Sequence, residues 1–201
     1  TYIRLAEKEG ITVACATPSF FQMVSRLAGK TMTVSKLAVS GECLTREAAS
    51  RIRKAFPEAE IYHVYGLTEA SPRVAYLAPE RFDSMPEMLS HPLASVKMKI
   101  VDGAGIEVPD GEEGELIVSG TNVMMGYYKN PELTERTLTD GWLHTKDMAV
   151  KNGDGMIRIL GRRDDMILYA GMNIYPREVE DALKKDARVE AVLAYGVPNP
   201  Y

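Results

Sequence analysis

Four residues in one short stretch set chemistry side by side. In "YHVYGLTEAS" (62–71) a strand-like run ends on Tyr65, Gly66 breaks it, and Thr68 and Glu69 follow. A flat ring offers a stacking face. A glycine lets backbone lie close to a neighbour. A hydroxyl donates or accepts a hydrogen bond, and a carboxylate is a hard oxygen ligand for a divalent cation. The plainer reading is a turn with a helix cap, Thr68 as N-cap and Glu69 in the first turn. Two later places carry groups of the same kind. Asp147 stands in "HTKD", which also suits a solvated turn, and Arg162 and Arg163 stand in "GRRDD", where they could pair with Asp164 and Asp165 on a surface loop.

Elements must hold these groups in place. Residues 1–64 alternate helix and strand. "YIRLAEKEG" reads as a short amphipathic helix stopped by Gly10, and "TVACA" as a strand. Thr17 caps a helix with Pro18 at its first position, which Gly29 can end. "KLAVS" is the next strand. Thr45 caps "REAASRIRKAF", whose Ala48, Ile52 and Phe56 share a face, and "EIYHV" (60–64) is the third strand. Such alternation with short connections predicts an α/β layer with a parallel sheet. Ligands sit off the carboxyl ends of the strands in such sheets, and "YGLTE" leaves the third strand at that end. Residues 72–95 have no clear period and read as loop with local turns. From 96 onward "VKMKIV" and "GELIVSG" alternate between Gly-rich turns, predicting an antiparallel, barrel-like unit. One helix interrupts it, capped by Asn130 with Pro131 first. After 164 come the strand "MILY", a helix opened by Pro176, and an apolar strand "VEAVLAYGV", a βαβ-like tail. The expected fold is therefore mixed α/β and β: part of an α/β layered subdomain over 1–85, a β-barrel-like subdomain over 86–163, and the start of a small α+β C-terminal domain over 164–201.

Composition narrows the function classes. Lys and Arg number 24 against 28 Asp and Glu, so no basic surplus exists to neutralise nucleic-acid phosphates. No apolar run approaches the roughly 20 residues of a membrane span, and no signal peptide opens the chain. Two cysteines, Cys15 and Cys43, are too few for a disulfide framework and fit a reducing, cytoplasmic setting. "GKT" at 29–31 has Val24 where a phosphate-binding loop needs its first glycine, and it follows a helix rather than a strand, so it reads as a helix end.

In order, the chain carries "SGECLT", "YGLTEAS", "GELIVSGTNVMMGYYKNPELTERTL", "DGWLHTKDMA" and "DGMIRILGRRDDMILYAGMNIYPREVEDAL". From about residue 36 to the end this resembles the adenylate-forming superfamily of acyl- and aryl-CoA synthetases, amino-acid adenylation domains and luciferases. The resemblance implies a two-step reaction on ATP, Mg2+, a carboxylic acid and CoA. The carboxylate attacks the α-phosphate to give an acyl-adenylate and pyrophosphate, and a thiol then takes the acyl group. It further implies that Tyr65 stacks on adenine with Gly66 close by, that Gly41 and Glu42 line its other side, and that His63 bonds its amino group. Thr68 would donate to a phosphate, Glu69 would ligate Mg2+, and Asp147 and Arg162 would hold the ribose. Asp164 matches the position about which a small C-terminal domain rotates, with Gly171 and Asn173 on the side where the thiol arrives.

The pattern also departs from the family. Lys146 replaces the usual glycine beside Asp147, at a cost of about 1 kcal/mol or more if that position needs positive φ. His63 stands where many relatives have Asn. Glu87, Ser90 and Ser95 replace glycines before the barrel. The family's phosphate-gripping Ser/Thr/Gly-rich loop would lie before residue 1 and its catalytic lysine after residue 201, so these 201 residues alone are expected to adenylate poorly or not at all. "MMGYYKNPELTERTL" and "GMNIYPREVEDAL" favour an acyl-CoA ligase for a fatty or aromatic acid. The alternatives are an adenylation domain that loads a carrier protein and a non-catalytic nucleotide-binding relative. Arg73, if it faced the acyl pocket, would suit a second substrate carboxylate.

Overall fold

The computed structural model describes residues 2–27, 33–186 and 188–198. The expected helix end at Gly29 and the "GKT" at 29–31 lie outside them. The first layer runs α1 (Tyr2–Lys8), β1 (Val13–Ala16), α2 (Pro18–Leu27), β2 (Lys36–Val39), α3 (Arg46–Ala55) and β3 (Glu60–Tyr65). The three strands are parallel, and their register sets Ala14, Leu37 and Ile61 in one row and Ala16, Val39 and His63 in the next. Both rows point to the same face because side chains alternate along a strand. On that face Leu37, Val39 and Ile61 pack with Phe21, Val24, Ala48, Ile52 and Phe56 of α2 and α3 in one core. Helix α3 starts where predicted: the Thr45 hydroxyl accepts from the Ala48 amide at 3.0 Å.

Residues 72–95, read as loop, hold short elements instead: β4 (Ala75–Leu77), α4 (Pro79–Phe82), β5 (Met88–Leu89) and β6 (His91–Pro92). Strands of two or three residues have no measurable period, and only their sheet partners make them strands. β4 turns back antiparallel on β3, and β6 on β4, extending the first sheet to five strands.

The second sheet is the expected antiparallel half-barrel. It comprises β7 (Val96–Val101), β8 (Glu113–Gly120), β9 (Leu138–Thr139), β10 (Trp142–Lys151) and β11 (Ile157–Arg162), with β5 at its edge, in the order β5-β11-β10-β8-β7 and β9 paired to β10. Between β8 and β9, helix α5 (Pro131–Thr137) is capped by Asn130, whose side-chain oxygen accepts from the Leu133 amide. Along β10, Leu143, Thr145, Asp147 and Ala149 are buried and their neighbours are less so. Trp142 opens the strand with the Lys99 ammonium 4.8 Å from its ring centroid. The β3 exit loop joins this second core: Ala70 and Val74 are fully buried among Leu116, Val118 and Leu143.

A short 3-10 turn at Arg163–Asp165 leads to a hairpin of β12 (Ile167–Tyr169) and β13 (Met172–Ile174), then to α6 (Pro176–Leu183). The predicted strand at "VEAVLAYGV" is not formed among the described residues. β12 pairs with β13 rather than with that run. Leu193 and Tyr195 are more than 70% exposed, and the Ala194 amide of the run bonds the Glu180 carboxylate of α6 rather than a strand.

Candidate functional site

The carboxyl end of the first sheet and the open side of the second enclose a cavity of about 460 Å³. Gly41, Glu42, His63, Tyr65, Gly66, Asp147 and Arg162 line it, together with Arg177, Glu178 and Asp181 of α6. Seven residues singled out by sequence, spread over 122 positions, thus meet at one hollow.

Its centre is a bond the sequence did not reveal. The Tyr65 hydroxyl donates to Asp147 Oδ2 at 2.5 Å, and Arg162 donates to Asp147 Oδ1 at 3.1 Å and to the Thr145 carbonyl at 3.0 Å. Burial, and then the Asp147 charge, push the Tyr65 phenol well above its usual range, so it stays a donor. Burial raises the Asp147 carboxyl, while Tyr65 and Arg162 act against that rise. A carboxylate has about four lone-pair sites, so both Asp147 oxygens keep capacity for further donors.

A bulge delivers Asp147 to this point. Against β8, His144 pairs with Ile117 but Met148 pairs with Glu115, so three residues of β10 face one of β8. Lys146 sits in this bulge at φ 62°, the left-handed region in which glycine is unstrained. The positive φ that the family glycine implied is therefore present, and a lysine bears it. Its ammonium lies 2.8 Å from Asp164 Oδ2, across to the 3-10 turn. Lys146 thereby holds the Asp164 carboxyl below its ordinary range.

His63 is buried, with Nδ1 3.3 Å from the Met88 carbonyl, and burial lowers its pKa. A neutral ring donating there leaves Nε2 as an acceptor. The Glu42 carboxylate is taken by the start of α2, accepting from the Ser19 hydroxyl at 2.6 Å and the Ser19 amide at 3.2 Å. Its side chain thus anchors a helix at the cavity wall. Gly66 has a reason of its own: a Cβ there would lie 2.3 Å from the Pro72 carbonyl oxygen, because the loop 67–73 folds back against it.

Thr68 and Glu69 lie next to the cavity in a 3-10 turn, Thr68–Ala70. The helix-cap reading of Thr68 does not hold, since Leu67 is the cap position and no side chain caps the turn. Glu69 Oε1 accepts from the Tyr127 hydroxyl at 2.7 Å, and its carbonyl accepts from the Met124 amide at 2.7 Å. No group of three or more His, Cys, Asp or Glu suited to a metal occurs among the described residues. A lone carboxylate fits Mg2+, which takes one or two carboxylates and completes its shell with phosphates and water.

Gly171 and Asn173 do not join the cavity. Ala170 and Gly171, at φ 49° and 81°, form the turn of the exposed β12–β13 hairpin. Arg73 is exposed and reaches Cys15 Sγ at 3.9 Å on the sheet face away from α2 and α3, so it is not in the cavity wall. Arg163 pairs with Asp164 at 4.0 Å, as the sequence suggests, and makes a shorter contact to Glu115 at 2.9 Å. Sequence reasoning missed Tyr127, Glu115 and Arg177. The signal for Glu115 was an acid inside the alternating apolar run "GELIVSG". Tyr127 sat in the quoted "MMGYYKNP". Arg177 had no such signal; its guanidinium bonds the Cys43 carbonyl, 134 residues away.

Comparison with known proteins gives the family. A family model described as AMP-binding enzyme matches residues 1–128. The chain is 44% identical over 135 residues to a long-chain-fatty-acid–CoA ligase of Salmonella typhimurium, covering 67% of this chain and 24% of that protein. It is 34% identical over 201 residues to a feruloyl-CoA synthase of Amycolatopsis, covering 96% of this chain and 40% of that one. Among solved structures, an o-succinylbenzoate CoA synthetase of Bacillus subtilis with ATP and magnesium superposes with a TM-score of 0.88 at 25% identity, over 99% of this chain and 42% of the other. The chain spans less than half the length of each.

Proposed function

This chain belongs to the AMP-binding enzyme family, and on that premise we propose that its cavity holds the adenosine end of ATP in an acid–thiol ligase that activates a fatty or aromatic acid and passes it to CoA. One observation carries the reading. Tyr65 at the exit of β3 and Asp147 in the bulge of β10, 82 positions apart, share a hydrogen bond in the lining of one cavity with Arg162 beside them.

In this reading each group has a task that its surroundings suit. The Tyr65 ring stacks on the adenine face. His63 accepts from the exocyclic amine while its other nitrogen is fixed by Met88. The Asp147 oxygens accept from the ribose hydroxyls, and the donors Tyr65 and Arg162 act against the rise that burial gives the carboxyl. Thr68 donates to a phosphate oxygen. Glu69, oriented by Tyr127, would hold a magnesium ion brought with the phosphates, which supplies charge neutralisation there. The acid's carboxylate oxygen then attacks the α-phosphorus and pyrophosphate leaves. In the second half the thiol sulfur attacks the acyl carbon and AMP leaves. The names of the two curated relatives support a fatty or aromatic acid and CoA as acceptor.

Titration calorimetry with adenosine and AMP tests the site. The chain should bind both, and Asp147→Asn should weaken both about tenfold or more, the loss of hydrogen bonds to a charged acceptor. Equal affinity of Asp147→Asn and the unaltered chain would sink the ribose assignment.

A further inference from the structure

We propose that Glu115 is a positioning residue that sets the height and angle of Asp147 in the nucleotide site. The proposal rests on the reading above and deepens it. Glu115 lies on β8, is 7% exposed, and is among the few buried acids of the described residues. Buried carboxylates are rare unless paired. Glu115 is paired three ways, and each partner belongs to the segment that carries or flanks the site. Oε1 accepts from the Lys146 amide at 2.9 Å. Oε2 takes the Arg163 guanidinium at 2.9 Å and lies 3.2 Å from His144 Nδ1.

The Lys146 amide is the important one. Within the bulge, β10 leaves its ladder with β8, so this N–H has no strand carbonyl opposite it. A bulge leaves its extra residues without ladder partners, and a left-handed lysine would relax if released. The Glu115 oxygen holds that amide, and with it the φ of 62° that turns the chain so that Asp147 meets Tyr65. On the other side of the same peptide, the Thr145 hydroxyl donates to the Leu116 carbonyl at 2.6 Å and accepts from the Asp147 amide at 3.0 Å. Two adjacent residues of β8, Glu115 and Leu116, therefore hold the three bulged residues. Through its second oxygen Glu115 also fixes Arg163, the neighbour of the ribose-side Arg162. Glu115 touches no part of the cavity and acts through Asp147 and Arg162.

Two Glu115 variants separate positioning from simple stability. Glu115→Gln keeps an oxygen for the Lys146 amide, and Glu115→Ala removes it. Adenosine affinity of the chain is measured by calorimetry, amide hydrogen exchange at Lys146 by NMR, and thermal unfolding for each. Expected is a fall of at least fivefold in affinity and at least tenfold faster Lys146 exchange for Glu115→Ala, with Glu115→Gln within about twofold of the unaltered chain in both. Ile52→Val, a core change in α3, should lower the melting temperature and leave affinity and Lys146 exchange alone. The proposal is overturned if Glu115→Ala binds adenosine as well as Ile52→Val does, or if its Lys146 amide stays protected. Asp147→Asn decides the underlying reading separately. If it binds normally the ribose site is wrong; if it fails to bind while Glu115→Ala binds, only the positioning role falls.

Discussion

Replacing Lys146 offers a measurement of what a strained backbone costs at this site. The residue sits at φ 62°, where an L-side chain costs about 1–2 kcal/mol relative to right-handed geometry. Its ammonium is paired to Asp164, and the two side chains are 43% and 55% exposed. A pair so open to water contributes about 0.2–1 kcal/mol. Lys146→Ala loses the pair and keeps the strain, so it should destabilise by about 0.5 kcal/mol. Lys146→Gly loses the same pair, recovers the 1–2 kcal/mol of strain, and gives back about 0.5–1 kcal/mol because glycine frees the unfolded chain. The glycine variant should therefore be more stable than the alanine variant by about 0–1.5 kcal/mol, centred near 0.75, and close to the unaltered chain. Urea unfolding of the three proteins, compared at a common m-value, measures the difference. Raising the salt concentration should narrow the gap between Lys146 and Ala but not that between Ala and Gly, since only the first is electrostatic. A glycine variant no more stable than the alanine variant would refute the claim that lysine is strained here.

Gly66→Ala should cost about 1–3 kcal/mol by forcing the loop away from a contact of 2.3 Å with the Pro72 carbonyl, and adenosine affinity should fall with it; stability within 0.5 kcal/mol of the unaltered protein on urea unfolding would contradict this. His63 gives a pH signature. Its folded pKa is lowered by burial from the ordinary 6.5, so the unfolded chain binds the extra proton first. Stability is then whole above pH 6.5 and lost on acidification below it, by up to about 1.4 kcal/mol per pH unit. His63→Asn should remove that component, seen as a smaller slope of unfolding free energy between pH 5 and 6.5 than in the unaltered protein; identical slopes would mean the ring takes up its proton equally in the folded and unfolded chain, against the lowering by burial.

Much of this was legible beforehand because it is written locally. Helix α3 carries its own cap at Thr45 and its own apolar face, and β7 carries its alternation in Val96, Met98 and Ile100. The seven named residues that line the cavity stand in ordered motifs, a pattern the chain shares with its family. What was not legible depends on partners far away in sequence. β5 and β6 are two residues each and exist only because β11 and β4 lie beside them. The run at 189–197 has strand composition, but among the described residues no strand edge receives it. Tyr65 was read for its ring, and nothing local indicates that its hydroxyl would find Asp147. The bulge at Lys146 showed only as one departure from a glycine, with its carboxylate support 31 positions earlier on another strand.

Trp142, with the Lys99 ammonium over its ring, is the chain's single tryptophan. It lies at the head of β10, the strand that carries Asp147, and the parallel layer has none. Indole emission is therefore an optical label confined to the half-barrel, while backbone ellipticity sees both layers. The exit loop of β3 is buried in the half-barrel core through Ala70 and Val74, so the layers are stitched together beside the cavity itself. Coincident melting by the two signals would mark that stitch as strong enough to make one cooperative unit, and emission changing first would time the opening of the pocket.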